Sequence, residues 1–509
     1  MADVESISGV ASASIESVSG VAAASVETIS GVTGGLGVQH AAIGAETTIA
    51  SSTADYLTPL VGYDTTNDRL LYMYRDSNET GRTRVAKIDA AGAITGSDTT
   101  GTLSMNYSSN TTDSCCPMAM IFSPNVELWT MYYIDGTRPY SQSKSQGASY
   151  IMAAQTSLNT TGGYNDTITK SADVYVSGGS FEEAKLIYDD YSQTILAAHI
   201  QGLWSRQPIF TTSANSSDVG HRGMRSYINS GTLTVAEGPG WNHPWISTGS
   251  GGSHSATSNG TADAHSVTCC VADSIDSVIV AVNQGRDAKI ASGRKQSEDS
   301  PTSGSAADWG AVVTFETDNV TDIDVAWDES RSKGMLVWKD TSGYGAYQTF
   351  SVNSTETDTT HADWRKITFG SGTGTNGSFH GAATNSPTII YNPDGGTAPH
   401  FVVFYRDDAD SDKLKLKKAT MSDSDLTVTF ADAVEVTDYA VDEANTVISI
   451  GTTGTNGSQN MDTALRHYSC VYVPDDTPGI VITYKKSSGN DVMTRRVANL
   501  GTNYDQAAG

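Results

Sequence analysis

Arg69-Leu-Leu-Tyr-Met-Tyr-Arg75, entered through the turn Asp64-Thr-Thr-Asn-Asp68, is a dense apolar run behind an acidic turn, and the arrangement recurs six more times along the chain. Leu128-Trp-Thr-Met-Tyr-Tyr-Ile134 follows Ser123-Pro-Asn-Val-Glu127, and Ile195-Leu-Ala-Ala-His-Ile200 follows Asp189-Asp-Tyr-Ser-Gln193. Val278-Ile-Val-Ala-Val282, Met335-Leu-Val-Trp338, Phe401-Val-Val-Phe-Tyr405 and Ile480-Val-Ile-Thr-Tyr484 continue the series, each behind a turn rich in Asp, Asn or Pro. Working outward, a shorter apolar run precedes each turn, and alternating runs such as Thr83-Arg-Val-Ala-Lys-Ile88 or Tyr347-Gln-Thr-Phe-Ser-Val352 follow in most units. Alternation of period two is the mark of a strand with one wet face. A repeat of about 55 to 85 residues with several strands per unit predicts a β-propeller, whose blades bury their faces only against their neighbours. The expected fold is therefore all-β, a seven-bladed β-propeller.

The last unit is short of a strand. After Met493-Thr-Arg-Arg-Val497 only a few residues remain, whereas Ala42-Ile-Gly-Ala-Glu-Thr-Thr-Ile-Ala50 precedes the first unit without a blade of its own. An open blade edge exposes unpaired backbone groups. The spare segment is thus expected to close the ring by pairing with the last blade, which sets the domains at 1–35 and 36–509.

Composition agrees with short strands and many turns: 49 Gly in 509 residues and 38% hydrophobic residues leave little room for long helices. The net charge of −26 argues against nucleic acid and anionic membranes as partners, since both are met with Lys and Arg. It suits solubility in salt-rich water. Of the five cysteines, Cys115-Cys116, Cys269-Cys270 and Cys470 all fall in the first run of their units. There they read as buried free thiols rather than a disulfide framework or a zinc site. The start Met-Ala-Asp-Val-Glu-Ser carries neither a basic region nor an apolar stretch of leader length, so the expectation is folding in a host cytoplasm, no membrane insertion and release by lysis.

Residues 4–32 hold a second, shorter repeat. Val4-Glu-Ser-Ile-Ser-Gly-Val10, Ile15-Glu-Ser-Val-Ser-Gly-Val21 and Val26-Glu-Thr-Ile-Ser-Gly-Val32 recur every eleven residues. On a helix, eleven residues return to within about 20° of the starting direction, which aligns Val4, Ile7, Val10, Ile15, Val18, Val21, Val26, Ile29 and Val32 in one stripe. Each intervening Gly costs a helix about 1 kcal/mol, so the segment, helical or extended, needs copies of itself or another protein to order it. A homo-oligomer, a trimer favoured, or attachment to a larger assembly is expected.

This leader, joined through Thr33-Gly-Gly-Leu-Gly37 to a Ser/Thr/Asn/Gly-rich β head, resembles the fibre and spike proteins of tailed bacteriophages, particularly those of marine and cyanobacterial hosts. The resemblance implies a virion structural protein whose N-terminal part meets other virion proteins and whose head binds a host-surface glycan or protein. A capsid or tail decoration or connector protein with a purely structural role is the alternative, and a polysaccharide-degrading enzyme on the propeller scaffold is the third reading.

Enzyme signatures are absent from the sequence. No Ser-x-Asp-x-Gly-x-Thr-Trp turn, nucleophile elbow, phosphate loop or HExxH pair occurs. Asp408-Ala-Asp410-Ser-Asp412 begins like a calcium loop but has Lys413 and Ala419 where Gly and Glu are needed. No cofactor, metal or catalytic role is therefore expected. The best candidate site is the stretch between the third and fourth units, where His221-Arg222, Arg225 and Tyr227 lead to Gly238-Pro-Gly-Trp-Asn-His-Pro-Trp245. Long loops are commonly functional. Tyr227, Trp241, Asn242, His243 and Trp245 offer aromatic faces beside hydrogen-bonding groups, the equipment for stacking on a sugar ring or docking a protein. Trp204-Ser-Arg206 is a weaker candidate.

Overall fold

The structure, a computed structural model, describes residues within 42–51, 58–95, 114–136, 148–155, 168–189, 194–210, 221–241, 264–294, 310–354, 365–393, 400–441 and 468–498, with short paired stretches inside 6–33 and 447–462. Their regular structure is β-strand, apart from short 3-10 turns such as Asp273–Ile275 and Asp408–Asp410. Among them no helix is long and apolar enough to cross a membrane.

The leader forms three hairpin ladders: β1 (Ser6–Ile7) with β2 (Val10–Ala11), β3 (Ser17–Val18) with β4 (Val21–Ala22), and β5 (Thr28–Ile29) with β6 (Val32–Thr33). The helical expectation is corrected at these positions. Ile7 pairs with Val10, Val18 with Val21 and Ile29 with Val32, which leaves the dipeptide Ser-Gly between partners each time. Glycine there opposes a helix and suits a two-residue hairpin connection. Val4, Ile15 and Val26 lie outside the described residues.

β7 (Ala42–Ile43) and β8 (Thr47–Ala50) come next in the chain and join its last sheet. Then β9 (Leu60–Asp64), β10 (Arg69–Arg75), β11 (Gly81–Ile88) and β12 (Ile94–Thr95) form an antiparallel meander. β13 (Ser114–Ser123), β14 (Leu128–Gly136) and β15 (Ala148–Gln155) follow, with β16 (Thr169–Lys170) and β17 (Val174–Gly178) sharing the outer edge. The next sheet has β18 (Phe181–Asp189), β19 (Thr194–Gln201), β20 (Gln207–Phe210), β21 (His221–Asn229) and β22 (Thr232–Trp241). β23 (Ala264–Ala272), β24 (Ser277–Gln284), β25 (Asp287–Arg294) and β26 (Val313–Glu316) make another meander.

β27 (Thr321–Asp328), β28 (Lys333–Lys339), β29 (Tyr344–Val352) and β30 (Ile367–Phe369) lead to the long β31 (Asn376–Asn392). The first half of β31 pairs with β29 and the second half with β32 (His400–Asp407), so one strand ends one sheet and begins the next. That next sheet adds β33 (Lys413–Met421), β34 (Val428–Phe430) and β35 (Val434–Ala440). β30 covers only part of the outer edge of β29, and β31 supplies the rest of that edge. A short pair, β36 (Val447–Ile448) with β37 (Met461–Asp462), precedes β38 (Tyr468–Val473), β39 (Gly479–Lys485) and β40 (Val492–Ala498).

The first strand of each sheet packs on the first strand of the next. β9 meets β13, β13 meets β18, β18 meets β23, β23 meets β27, β27 meets β31, β31 meets β38, and β38 meets β9. The fold is thus all-β and of β-propeller type. Its second strands carry the dense apolar runs because both of their faces are covered. Leu70, Tyr72 and Tyr74 of β10 pack with Val473 and Val481, whereas Leu71 and Met73 between them pack with Trp129 and Met131. Leu336 and Trp338 of β28 likewise face Ile279, while Met335 and Val337 face Phe401 and Val403. Each fully buried side chain of this kind contributes about 1.5–3 kcal/mol.

Acidic turns end the inner strands for a local reason. Asp64 Oδ1 accepts the backbone N–H of Thr66 (2.9 Å) and Asn67 (3.0 Å), and Asp328 Oδ1 accepts those of Ser330 (2.9 Å) and Arg331 (3.0 Å). Asp68, Glu127, Asp276 and Ser332 have φ of 56°, 53°, 52° and 54°, the left-handed step that turns the chain into the second strand.

β40 pairs with β7 (Val497↔Ile43) and with β8 (Met493↔Thr48). The segment 42–50 therefore covers the edge of the last sheet, in two pieces separated by Gly44 to Glu46, where Gly44 N–H donates to Arg496 O at 2.8 Å. The β34–β35 edge is interrupted in the same way, with Ala431 N–H donating to Lys418 O at 2.9 Å.

One packing prediction arises here. A Cβ on Gly334 would lie 2.1 Å from the ring of Phe350, which is fully buried between sheets. Gly334→Ala is expected to lower stability by about 1–3 kcal/mol in urea unfolding, whereas Gly372→Ala, with nothing within 4 Å of its Cβ, should change it by no more than about 0.5 kcal/mol.

Candidate functional site

All the inner strands face one axial cavity of about 580 Å³, to which Val61, Met120, Lys185, Val267, Asp324, Ile389 and Cys470 contribute from β9, β13, β18, β23, β27, β31 and β38. It runs from Thr58, ahead of β9, to Thr65 and Pro124 in the turns after β9 and β13. Inner strands of neighbouring sheets share no ladder, so side chains link them. Ser266 Oγ accepts Ile323 N–H at 2.9 Å, Ser469 Oγ accepts Val61 N–H at 3.4 Å, and Tyr468 OH donates to Ser386 O at 2.5 Å.

Asp324 makes the most of these links. It is 1% exposed, and its Oδ1 takes the Lys185 ammonium at 2.5 Å and the Thr268 hydroxyl at 2.8 Å, while Oδ2 accepts Ile389 N–H at 3.0 Å. One carboxylate on β27 therefore binds β18, β23 and β31 at once. Among the lining residues it is the one carboxylate, and both of its oxygens are engaged in holding strands. A glycosidase pair needs a second carboxyl about 5–10 Å away. What this arrangement does chemically is hold a buried charge in balance.

The thiols are less uniform than expected. Cys269 is buried and free, and burial pushes its thiol pKa up to about 12, so it is inert at neutral pH. Cys270 and Cys470 are only half-buried, and Cys470 lines the axis. Cys115 and Cys116 lie in β13, opposite Asp135 and Ile134.

The acidic tip at 407–412 is held together by basic side chains. Arg406, 1% exposed, reaches Asp412 at 2.7 Å and Asp408 at 3.3 Å; Lys415 reaches Asp410 at 2.5 Å and Asp407 at 3.0 Å. His380 lies 3.2 Å from Asp407 and stacks on Tyr405. Burial pushes the Asp407 carboxyl up, but hydrogen bonds and charge from Lys415 and His380 outweigh it and leave the pKa below the ordinary value. These contacts join the tip into an ion-pair network.

A second cluster surrounds the ring closure. Glu46 accepts hydrogen bonds from Tyr484 OH (2.7 Å) and Tyr439 OH, and Arg495 approaches it at 3.3 Å. Lys486 sits 4.2 Å over the Tyr439 ring. No sequence signal singled out Glu46, because its partners lie some 390 to 450 residues away.

Of the candidate aromatic residues, Tyr227 lies in β21 and Trp241 ends β22, paired with His221. The expectation of a loop is corrected for this part of the chain: 221–241 is a hairpin, since Arg225 to Ile228 and Leu233 to Ala236 pair in unbroken register. Asn242, His243 and Trp245, and the Trp204-Ser-Arg206 candidate, lie outside the described residues. Among the described residues no three His, Cys, Asp or Glu side chains group as metal ligands would.

No family model matches the chain, and no curated protein matches its sequence. Among solved structures it is similar to the periplasmic gluconolactonase of Pseudomonas aeruginosa, at 7% identity and a TM-score of 0.39 over 75% of this chain and 86% of that one. It is similar too to a putative 6-phosphogluconolactonase of Bacteroides uniformis, at 11% identity and a TM-score of 0.38 over 88% and 98%. Saccharomyces cerevisiae Sqt1 aligns at 7% identity and a TM-score of 0.41 over 91% and 99%. At such identities the chemistry of those proteins does not transfer to this chain.

Proposed function

We propose that this chain is a virion structural protein of the fibre or spike type: a seven-bladed propeller head, carried on the eleven-residue repeat, that binds a glycan or protein on a host surface. The blades in this reading are the sheets begun by β9, β13, β18, β23, β27, β31 and β38. The observation that carries it is where the leader enters the head. Eight residues separate Thr33 from Ala42, and the segment reached is the one that completes the last sheet. The segment that the leader leads into is held by a β ladder and by the contacts of Glu46. The axial carboxylate, committed to strand linkage, favours a head that binds over one that reacts.

The test is a glycan array and host-cell binding assay on the full-length chain beside a Trp241→Ala/Trp245→Ala variant, with sedimentation of both. Specific binding lost in the variant, on a particle that sediments as an oligomer, is the expected result. A monomeric chain that binds no glycan and no cell, yet is needed for particle integrity, would replace this reading with a decoration role.

A further inference from the structure

We infer that Lys339 and Asn385 form an intramolecular isopeptide bond, with Asp408 as the group that moves its protons. Lys339 ends β28, Asn385 lies in β31 and Asp408 follows β32. The backbone brings them together: Thr384 N–H donates to Gly343 O at 2.8 Å across the turn after Lys339, and Asn385 stands opposite Arg406 in the β31–β32 ladder. The Lys339 ammonium donates to Asn385 Oδ1, and Asn385 Nδ2 donates to Asp408 Oδ2. This fixes which way the amide points, since an ammonium only donates and a carboxylate only accepts. Arg406 approaches the other carboxylate oxygen of Asp408 at 3.3 Å, which leaves Oδ2 to the amide. Acyl transfer needs this set: an amine against the amide carbonyl and a proton carrier at the nitrogen that leaves. Oδ1 is bonded to the carbon that Nζ must reach. In its amine form Lys339 Nζ attacks Asn385 Cγ, Asp408 takes a proton from the attacking nitrogen and gives one to Nδ2, and the Cγ–Nδ2 bond breaks to release ammonia. Overall an ammonium and a carboxamide become a secondary amide and an ammonium ion, so atoms and charge balance without a further reagent. The contacts are only part-buried, and the Asp408 side chain is 24% exposed, so Lys339 can shed its proton to water and ammonia can escape. The bond ties β28 to the strand that passes from its sheet into the next. The inference rests on these side chains and not on the virion reading.

The test is intact-mass spectrometry with a peptide map of the full-length protein, beside Lys339→Arg and Asp408→Asn. The wild-type chain is expected to be lighter than its sequence by one ammonia, and its map to contain a branched peptide joining Lys339 to Asn385. Lys339→Arg keeps the charge and a donor to Asn385 but should show neither, because a guanidinium does not lose its proton at neutral pH. Asp408→Asn should form the bond about a hundredfold more slowly, the lower end of what a positioned proton carrier contributes, read as branched fraction against time after cell-free synthesis. Folded wild-type protein with the full mass of its sequence overturns the inference, whatever the variants do. So does an ammonia lost without a branched peptide, as by succinimide formation at Asn376-Gly377. Equal rates in wild type and Asp408→Asn would overturn the part given to Asp408.

Discussion

Asp324→Ala is expected to lower stability by up to about 3–5 kcal/mol, the cost of breaking a buried ion pair by removing one partner. The effect is large because three groups lose their acceptor together: the Lys185 ammonium, the Thr268 hydroxyl and the Ile389 N–H. Lys185 can turn toward the cavity and recover water, which moderates its share. The Ile389 amide cannot, since Ile389 is buried between inner strands. Asp324→Asn keeps the shape and one acceptor oxygen but sets an amide NH2 against either the Lys185 and Thr268 donors or the Ile389 N–H, so an intermediate loss is expected. Lys185→Met in the Asp324→Ala background should cost less than in the wild type, because the charge it removes has already lost its partner. Midpoints of guanidinium unfolding for the two single variants and the double variant complete the cycle. Additive losses would show that the pair is not coupled, and a change under about 1 kcal/mol for Asp324→Ala would show that it does not hold the axis.

Much of this scaffold is legible in the sequence because the physics is local. Runs such as Leu70 to Tyr74 are dense since the strand has no wet face, and the turns before them are acidic since Asp64 and Asp328 accept backbone N–H groups two and three residues on. The need for a closing strand could be counted, and Ala42 to Ala50 has the composition for it. Its interruption at Gly44 to Glu46 could not be foreseen, as it depends on Arg496 and on tyrosines hundreds of residues away. The leader misleads for a different reason. An eleven-residue period suits a straight helical stripe, but Ser-Gly at every repeat suits a hairpin equally, and pairing at Ile7↔Val10 uses the glycine instead of opposing it. The axial group was hidden because Lys185, Thr268, Asp324 and Ile389 come from four units and share no motif. The aromatic candidates were marked by an irregular spacing, of which 221–241 is a hairpin added to the third sheet.

Removing residues 1–50 is expected to abolish the cooperative fold, whereas removing 1–41 should leave its melting temperature nearly unchanged. The difference lies in nine residues. Ile49 and Ala50 are 0% and 1% exposed and pack with Val61, Leu70, Val481 and Val492, so their loss opens the junction between the first and last sheets. Burial of Ile49 contributes about 1.5–3 kcal/mol, and the charged hydrogen bonds of Glu46 a further 1.5–3 kcal/mol or so. Together these approach the whole stability of a marginal domain, about 5 kcal/mol. They are lost along with the ladder to β40, whose bare edge then invites pairing between chains. Aggregation on expression is the corresponding observation. Glu46→Gln separates the latch from the strand: it keeps the backbone pairing and weakens the contacts to Tyr439, Tyr484 and Arg495. Burial raises the Glu46 pKa, but the tyrosine hydrogen bonds and the Arg495 charge outweigh it, and the carboxyl titrates below its ordinary value of 4.5. The stability it adds is therefore fully present above pH 4.5 and is lost as the pH falls below that, through the depressed native value. Wild type should be more stable than Glu46→Gln at pH 7, and the gap should close in acid. A gap that stays constant down to pH 3 would mean that the charge of Glu46 takes no part in closing the ring.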